Sequence, residues 1–296
     1  MKKFSYQIGI FVVILFIVNL LLFNLGNDLY YKNYDNHDLN YKSYLFSDSH
    51  GAQLKTYPHQ YGVYNFSADS ESYLDIQRKI NFLIEHTALD TIYLSADEQM
   101  LSTYREKLNN ADKSMYYATS EDFPNQFAYF KSQISQKVIY FQPKIGLVLR
   151  KYVVAKLENI PSLFETDQDR TNKTQSSLNW NDFTLDFKEE KVRNRLNNQF
   201  TSQKNSMQLQ ETLVDIIRVC KSNNIVLIGV KFPLTKAYYN VVKDQHFGVD
   251  SIFKANGLKV LNFQSLYINN DDLFVDVDHL NTKGGKKFTE LLFKKH

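Results

Sequence analysis

An almost unbroken apolar run, Ile8–Leu25, opens the chain, and a polar, Tyr- and Asn-rich stretch follows it. From Tyr41 onward, short apolar runs of strand length alternate with segments whose apolar positions recur every three or four residues. The first run is close to the ~20 residues that span a bilayer. It is longer than an ordinary signal-peptide core, Lys2 and Lys3 precede it, and no small-x-small cleavage pattern follows it. It reads as an uncleaved signal anchor over residues 8–25, with a cytoplasmic tail at 1–7 and a stalk at 26–40. The paired lysines favour a cytoplasmic N-terminus, which places residues 41–296 outside. A cleaved signal peptide is the alternative, and it too exports the domain.

Within 41–296 the pattern predicts strands at Tyr41–Phe46, Tyr61–Phe66 and Asp90–Leu94, and a fourth at Ser114–Ala118. Tyr73, Ile76, Ile80, Leu83 and Ile84 make a helical face after the second strand. Phe127–Leu157 reads as one or two helices interrupted at Pro143. Residues 161–206 are polar, hold the single tryptophan Trp180, and read as an insertion, having too few apolar residues for a core of their own. Leu209, Leu213, Ile216, Ile217 and Cys220 then form an amphipathic helix. A strand at Ile225–Phe232, helix over Ala237–Asn256 and a strand at Leu258–Phe263 follow. A loop through Asp276 and His279 leads into a last helix with Phe288, Leu291 and Leu292 inward. Strands alternating with helices predict an α/β fold, a three-layer α/β/α sandwich on a mostly parallel sheet.

Composition narrows the function. The 296 residues are 43% hydrophobic and 15% aromatic, enough for a large core. Lys+Arg 35 against Asp+Glu 32 leaves a net charge of +3, which argues against a nucleic-acid partner. The one cysteine, Cys220, cannot form an internal disulfide and falls on the apolar stripe of its helix, so it reads as a core residue.

The chemistry concentrates at the two ends of the 41–296 region. In an open α/β sheet, ligands collect at the carboxyl ends of the strands, and Ser49 lies just past the first one. A serine hydroxyl is a weak nucleophile without a base. His279 is the candidate base, and Asp276, three residues earlier, is placed to fix its tautomer. Asp48-Ser49 after the first strand and Asp276-Val277-Asp278-His279 before the last helix resemble the SGNH, or GDSL-like, hydrolase superfamily. Asp278-His279-Leu280-Asn281 and the following Gly284-Gly285 fit the usual end of its last motif, whereas Ser47 stands where glycine is usual.

The resemblance implies a Ser49–His279–Asp276 triad and an oxyanion hole. It assigns one backbone N–H to the nucleophile region at Ser49 and another to a small residue after the second strand, Ser67 or Ala68. The usual third donor is an Asn in a Gly-x-Asn-Asp turn, but this chain has Ser95-Ala96-Asp97-Glu98 there. An ionised Asp97 would repel an oxyanion. Gln99 or Ser95 could substitute, or Asp97 could be held protonated. Asp48 is expected to bond backbone near the nucleophile, and His50 to be structural or to face substrate. Asp278 is expected to cap the last helix or to be solvated.

The expectation is an enzyme of acyl-ester chemistry, an esterase or O-acyltransferase acting on an acylated cell-envelope glycan. It needs no cofactor and no metal. It would sit in a bacterial inner membrane with its main domain periplasmic or extracellular. By architecture it is similar to the extracytoplasmic partners of multi-span membrane O-acyltransferases in alginate and teichoic-acid acylation, which makes such a protein the expected partner. A degenerate domain that binds glycan or that partner is the second reading, motivated by Asp97. A third is a metallophosphoesterase, because Asp48-Ser49-His50-Gly51 has the form of an Asp-x-His-Gly metal turn; the further His and Asn elements such sites need are missing from the sequence. His37, His59, His86, His246 and His296 have no motif context and read as surface or core residues.

Overall fold

The computed structural model describes residues 2–26, 34, 37–138, 179–200 and 204–294. The chain divides into two compact units, Met1–His37 with Thr119–Arg170 and Asp38–Ala118 with Thr171–His296.

The first unit contains helix α1, Lys2–Gly26. Residues Lys3–Asn24 of it have a mean hydropathy of 2.5, long and apolar enough to cross a membrane. The expected helix beginning at Phe127 is α6, Gln126–Lys137. The remainder of that expected region, with Pro143, lies outside the described residues, as do the stalk residues 27–33.

The second unit is built on a five-stranded parallel sheet in the order β2-β1-β3-β4-β5. Its strands are β1 Ser43–Phe46, β2 Val63–Asn65, β3 Thr91–Ser95, β4 Val226–Lys231 and β5 Val260–Asn262. Tyr44, Leu45 and Phe46, like Ile92, Tyr93 and Leu94, are buried on both faces of the sheet, as parallel strands between helical layers require. On one face Phe66 meets Tyr117 edge-on, and Tyr117 in turn packs on Phe82 of α3, Tyr73–His86. On the other, Tyr93 meets Phe293 of the last helix, α11, Thr282–Lys294. The helical layers come from α3, α8 (Met207–Ser222), α9 (Lys236–Val242), α10 (Val249–Ala255) and α11. Leu209, Leu213, Ile216, Ile217 and Cys220 are the buried stripe of α8, so Cys220 is a core thiol.

The strand expected at Ser114–Ala118 is not one. The short helices α4 (Thr103–Lys107) and α5 (Ala111–Ser114) precede a 3₁₀ turn at Met115–Tyr117. The Ser114 hydroxyl donates to Asp75 of α3 at 2.6 Å, and Tyr117 is buried against α3. A short apolar run is compatible with either a strand or a buried turn, and periodicity alone does not separate them.

Within the polar stretch 161–206, the described residues form a 3₁₀ turn at Trp180–Asp182 and helix α7, Leu185–Phe200. Trp180, Val192 and Phe200 are buried and attach this segment to the α/β unit.

The sheet order fixes where a ligand goes. The chain runs from β1 outward to β2 and returns to β3 on the opposite side of β1, so the crevice opens at the carboxyl ends of β1 and β3.

Candidate active site

Two segments meet at that crevice. The first is the turn after β1, where Ser49 begins the short helix α2, Ser49–Ala52, and Asp48 caps it by accepting from the His50 N–H at 3.0 Å. Gly51 makes the turn tight. A Cβ there would strike the Ser67 hydroxyl and, at 2.6 Å, the Ser47 Cβ.

The second is the loop before α11. A bridge between Phe274 and Leu280, and the Val275 N–H bonded to the His279 carbonyl at 2.9 Å, close it into a narrow bend. The Thr235 hydroxyl donates to the Val277 carbonyl at 2.7 Å and ties the bend to the end of β4. Gly284 lets α11 start directly against this loop, since any Cβ would collide with the Leu273 carbonyl.

The bend carries His279 to Ser49. His279 Nε2 lies 2.7 Å from Ser49 Oγ, and Nδ1 lies 2.9 Å from each Asp276 oxygen. Asp276 also accepts from the His279 and Asp278 backbone N–H groups, at 2.9 and 3.1 Å, so it shapes the loop as well as orienting the ring. With a proton on Nδ1 facing Asp276, Nε2 is the acceptor for the Ser49 hydroxyl.

Asp278 neither caps α11 nor meets solvent. Its side chain is fully buried, because the bend turns it inward beneath His279. One oxygen lies 3.2 Å from His279 Nδ1 and 2.9 Å from Arg195 of α7. The other lies 3.3 Å from His50 Nε2 and accepts from Gln199 of α7 at 3.4 Å. Two carboxylates therefore converge on one ring nitrogen of His279.

His50 bridges the two segments. Its Nδ1 is 2.6 Å from Asp48, and its ring stacks on that of His279 with centroids 4.8 Å apart. Asp48 also pairs with the guanidinium of Arg105, so its role exceeds the backbone contact expected of it.

Burial opposes charge on every one of these groups, and the partners decide the outcome. Burial would lower His279; the Asp278 and Asp276 carboxylates outweigh it and push the ring up to about 9. Burial would likewise lower His50, but Asp48 and Asp278 hold it well above the usual histidine range. Burial would raise Asp48 and Asp278. The His50 and Arg105 charges hold Asp48 far below the carboxylate range, and His279 and Arg195 do the same for Asp278.

The oxyanion candidates separate into two groups. The Ser67 N–H donates to Asn65 Oδ1 at 3.3 Å, and the Ala68 N–H to Glu71 at 3.1 Å. The Ser95 hydroxyl donates to Asp97 at 3.2 Å. Asp97 turns toward β4 and accepts from the Phe232 N–H at 3.3 Å. Burial, reinforced by the Asp48 charge, pushes its carboxyl up to about 6 against the pull of His50 and Lys231. All four are committed to internal partners. Ser49, as the first residue of α2, presents an N–H of the kind a helix start leaves without an intrahelical acceptor. Gln99 is nine-tenths buried, and its carboxamide has no hydrogen-bond partner among the described residues. It lines an open cleft whose wall includes His50, Lys231, Tyr238 and Gln264, and neither Ser49 nor His279 lines that cleft.

His50, Asp278 and His279 bring ligand atoms within 4.8 Å of one another, the spacing a metal ion could use. The donors, however, already face ring nitrogens and Arg195, whose positive charge sits where an ion would need to approach Asp278. Asp48 and His50, the core of the metal-turn reading, are paired with each other and with Arg105. The arrangement fits a proton-transfer network better than a cation site.

Sequence reasoning missed Arg105, Arg195, Gln199 and Tyr238, whose hydroxyl donates to Gln199. The alternation Asp276-Val277-Asp278 was the only signal for Asp278. For Arg195 and Gln199, four residues apart on one face of α7, there was none, because a polar helix reads as a solvated one.

No family model matches the chain, and no curated protein does. Among solved structures, the chain is similar to a "putative acylhydrolase" from Bacteroides fragilis NCTC 9343, at 9% identity and a TM-score of 0.38, covering 92% of this chain and 95% of that one. A likeness of that size carries no argument about chemistry, and the functional reading rests on the site itself.

Proposed function

We propose that this chain is a membrane-anchored serine esterase or O-acyltransferase that works outside the cytoplasm on an acylated cell-envelope glycan. The observation that carries the chemistry is the line Ser49 Oγ–His279 Nε2 at 2.7 Å and His279 Nδ1–Asp276 at 2.9 Å. In this reading Ser49 Oγ attacks the acyl carbonyl while its proton passes to His279 Nε2. Asp276 and Asp278 stabilise the imidazolium that results. The Ser49 N–H and the Gln99 carboxamide face the developing oxyanion, in place of the usual Asn. The imidazolium then protonates the leaving alkoxide, and a seryl ester remains. Attack by water on that ester gives hydrolysis; attack by a sugar hydroxyl gives transfer. α1 holds the domain to the bilayer, with Lys2 and Lys3 on the cytoplasmic side, and a multi-span acyltransferase is the partner that would supply the acyl group.

The test is covalent labelling of the full chain with a serine-directed fluorophosphonate. The expected result is labelling of the wild type and none of Ser49→Ala. Gln99→Ala is expected to slow it by roughly 10²–10³-fold, the usual cost of one oxyanion donor. A folded wild type that labels no better than Ser49→Ala would favour the second reading, a non-enzymatic glycan- or partner-binding domain. One observation supports that reading: the Ser67 and Ala68 N–H groups are already engaged by Asn65 and Glu71.

A further inference from the structure

Helix α6 is built inside out. Its outward residues are Phe127, 77% exposed, Phe130, 61%, and Ile134, 44%, with Lys131 and Lys137 beside them. These five positions follow the three- and four-residue spacing of one helical face. The half-covered positions are Ala128, Tyr129, Ser132, Gln133 and Ser135, mostly small or polar. A helix on a water-facing surface has the opposite arrangement, and two exposed phenylalanines with an isoleucine on one face mark a contact surface rather than a solvated one.

The same compact unit says what covers it. α6 and α1 belong to one unit. The Asn19 side chain of α1 donates to the Lys137 carbonyl at the end of α6, at 3.0 Å. Asn19, Leu22 and Phe23 are the half-covered face of α1, while the rest of the helix from Lys3 to Leu21 is exposed. Asn19 precedes the end of the apolar span at Asn24 by little more than one helical turn, about 7 Å at 1.5 Å per residue. Once α1 crosses a bilayer, the end of α6 is pinned at that depth, within the ~5–10 Å to which interfacial helices bury their apolar faces.

We propose that α6 is an interfacial helix whose Phe127, Phe130 and Ile134 enter the outer leaflet, with Lys131 and Lys137 meeting lipid headgroups. The occupant of this face is the bilayer itself. Phenylalanine and large aliphatic residues form the buried face of interfacial helices, and long cationic side chains can extend from it to the headgroups. The proposal rests on α1 crossing the membrane and extends it: the chain would hold the surface by two elements, a span and a flat helix.

The test places an environment-sensitive fluorophore on single introduced cysteines in the full chain, reconstituted into phosphatidylcholine–phosphatidylglycerol vesicles. Cys220 is buried and its thiol is pushed up to about 12, so it stays unlabelled in the folded protein, with the wild type as control. The sites are Phe127→Cys and Phe130→Cys on α6, Val12→Cys within α1, and Glu211→Cys on the exposed side of α8. Phe127 and Phe130 labels are expected to shift to the blue and to lose emission when spin-labelled lipids with a shallow nitroxide are included, and the Val12 label, near the middle of the span, to lose emission to lipids with a deep nitroxide. The Glu211 label should do neither. Quenching at Val12 with none at Phe127 or Phe130 would overturn the interfacial helix and leave the anchor standing. Quenching at none of the three α-helical membrane sites would remove the anchor and α6 together. A blue shift at α6 without lipid quenching would also overturn the proposal, in favour of a protein on this face.

Discussion

The α/β unit contains two Asp–His pairs, one at each end of its sequence, and they are close to being the same object. His50 sets Nδ1 against Asp48 and His279 sets Nδ1 against Asp276, at 2.6 and 2.9 Å. The rings stack, and Asp278 touches both. They differ in what the far nitrogen meets. His279 Nε2 faces a hydroxyl, Ser49; His50 Nε2 faces a second carboxylate, Asp278. A ring between a carboxylate and a hydroxyl can exchange a proton with the hydroxyl. A ring held between two buried carboxylates keeps its proton, because losing it would remove the one counter-charge that the two anions share. Chemical identity is equal at the two positions, and in the proposed reaction the third partner makes His279 the base and His50 a brace.

The largest expected effect separates the two directly. His279→Ala should slow fluorophosphonate labelling by roughly 10²–10⁴-fold, the usual contribution of a positioned general base, and take with it the stability that the charged ring contributes. His50→Ala should instead cost about 3–5 kcal/mol of stability, since it leaves Asp48 and Asp278 buried without their shared partner. Urea unfolding and labelling rates, measured on both variants, check the assignment. If His50→Ala loses labelling while keeping its stability, the roles are exchanged.

Next in size is the pH dependence. His279 must be neutral to accept the Ser49 proton, and its partners hold it protonated up to about 9. The labelling rate should therefore rise about tenfold per pH unit from 7 and level off above about 9. The raised value also contributes stability, fully present below the ordinary histidine range and lost as pH climbs through about 9. A rate plateau already reached near pH 7 would mean that Asp278 and Asp276 do not jointly charge the ring.

The smallest effect concerns those two carboxylates. In a triad with a lone aspartate, Asp→Asn lowers the rate by about 10⁴-fold. Here Asp278 also lies 3.2 Å from His279 Nδ1, so Asp276→Asn is expected to cost less, about 10–10²-fold, and to move the pH plateau downward. A full 10⁴-fold loss would show that Asp278 serves His50 and Arg195 alone.

The sequence by itself was enough for the alternation of strands and helices, the parallel sheet, the buried stripe of α8 with Cys220, and the meeting of Ser49 with His279. These follow from local periodicity and from chain topology, which carries the ends of β1 and the last loop to one sheet edge. It also exposed the apolar span of α1, since length and composition suffice for that. Other features depended on residues distant in sequence. Asp278 is polar and adjacent to a turn, and only the bend held by Thr235 and the Phe274–Leu280 bridge turns it inward. Arg105, Arg195 and Gln199 sit on helices whose polar surface looks solvated until a buried carboxylate is placed against it. Asp97 stands at the expected oxyanion position in sequence, yet the Phe232 N–H just past the neighbouring strand β4 and the Ser95 hydroxyl engage its carboxyl. Met115–Tyr117 packs as a turn because α3 offers it a buried surface. Periodicity records which face of an element is apolar; which opposite charge or backbone group a polar side chain finds is decided by packing between elements, and no single segment encodes it.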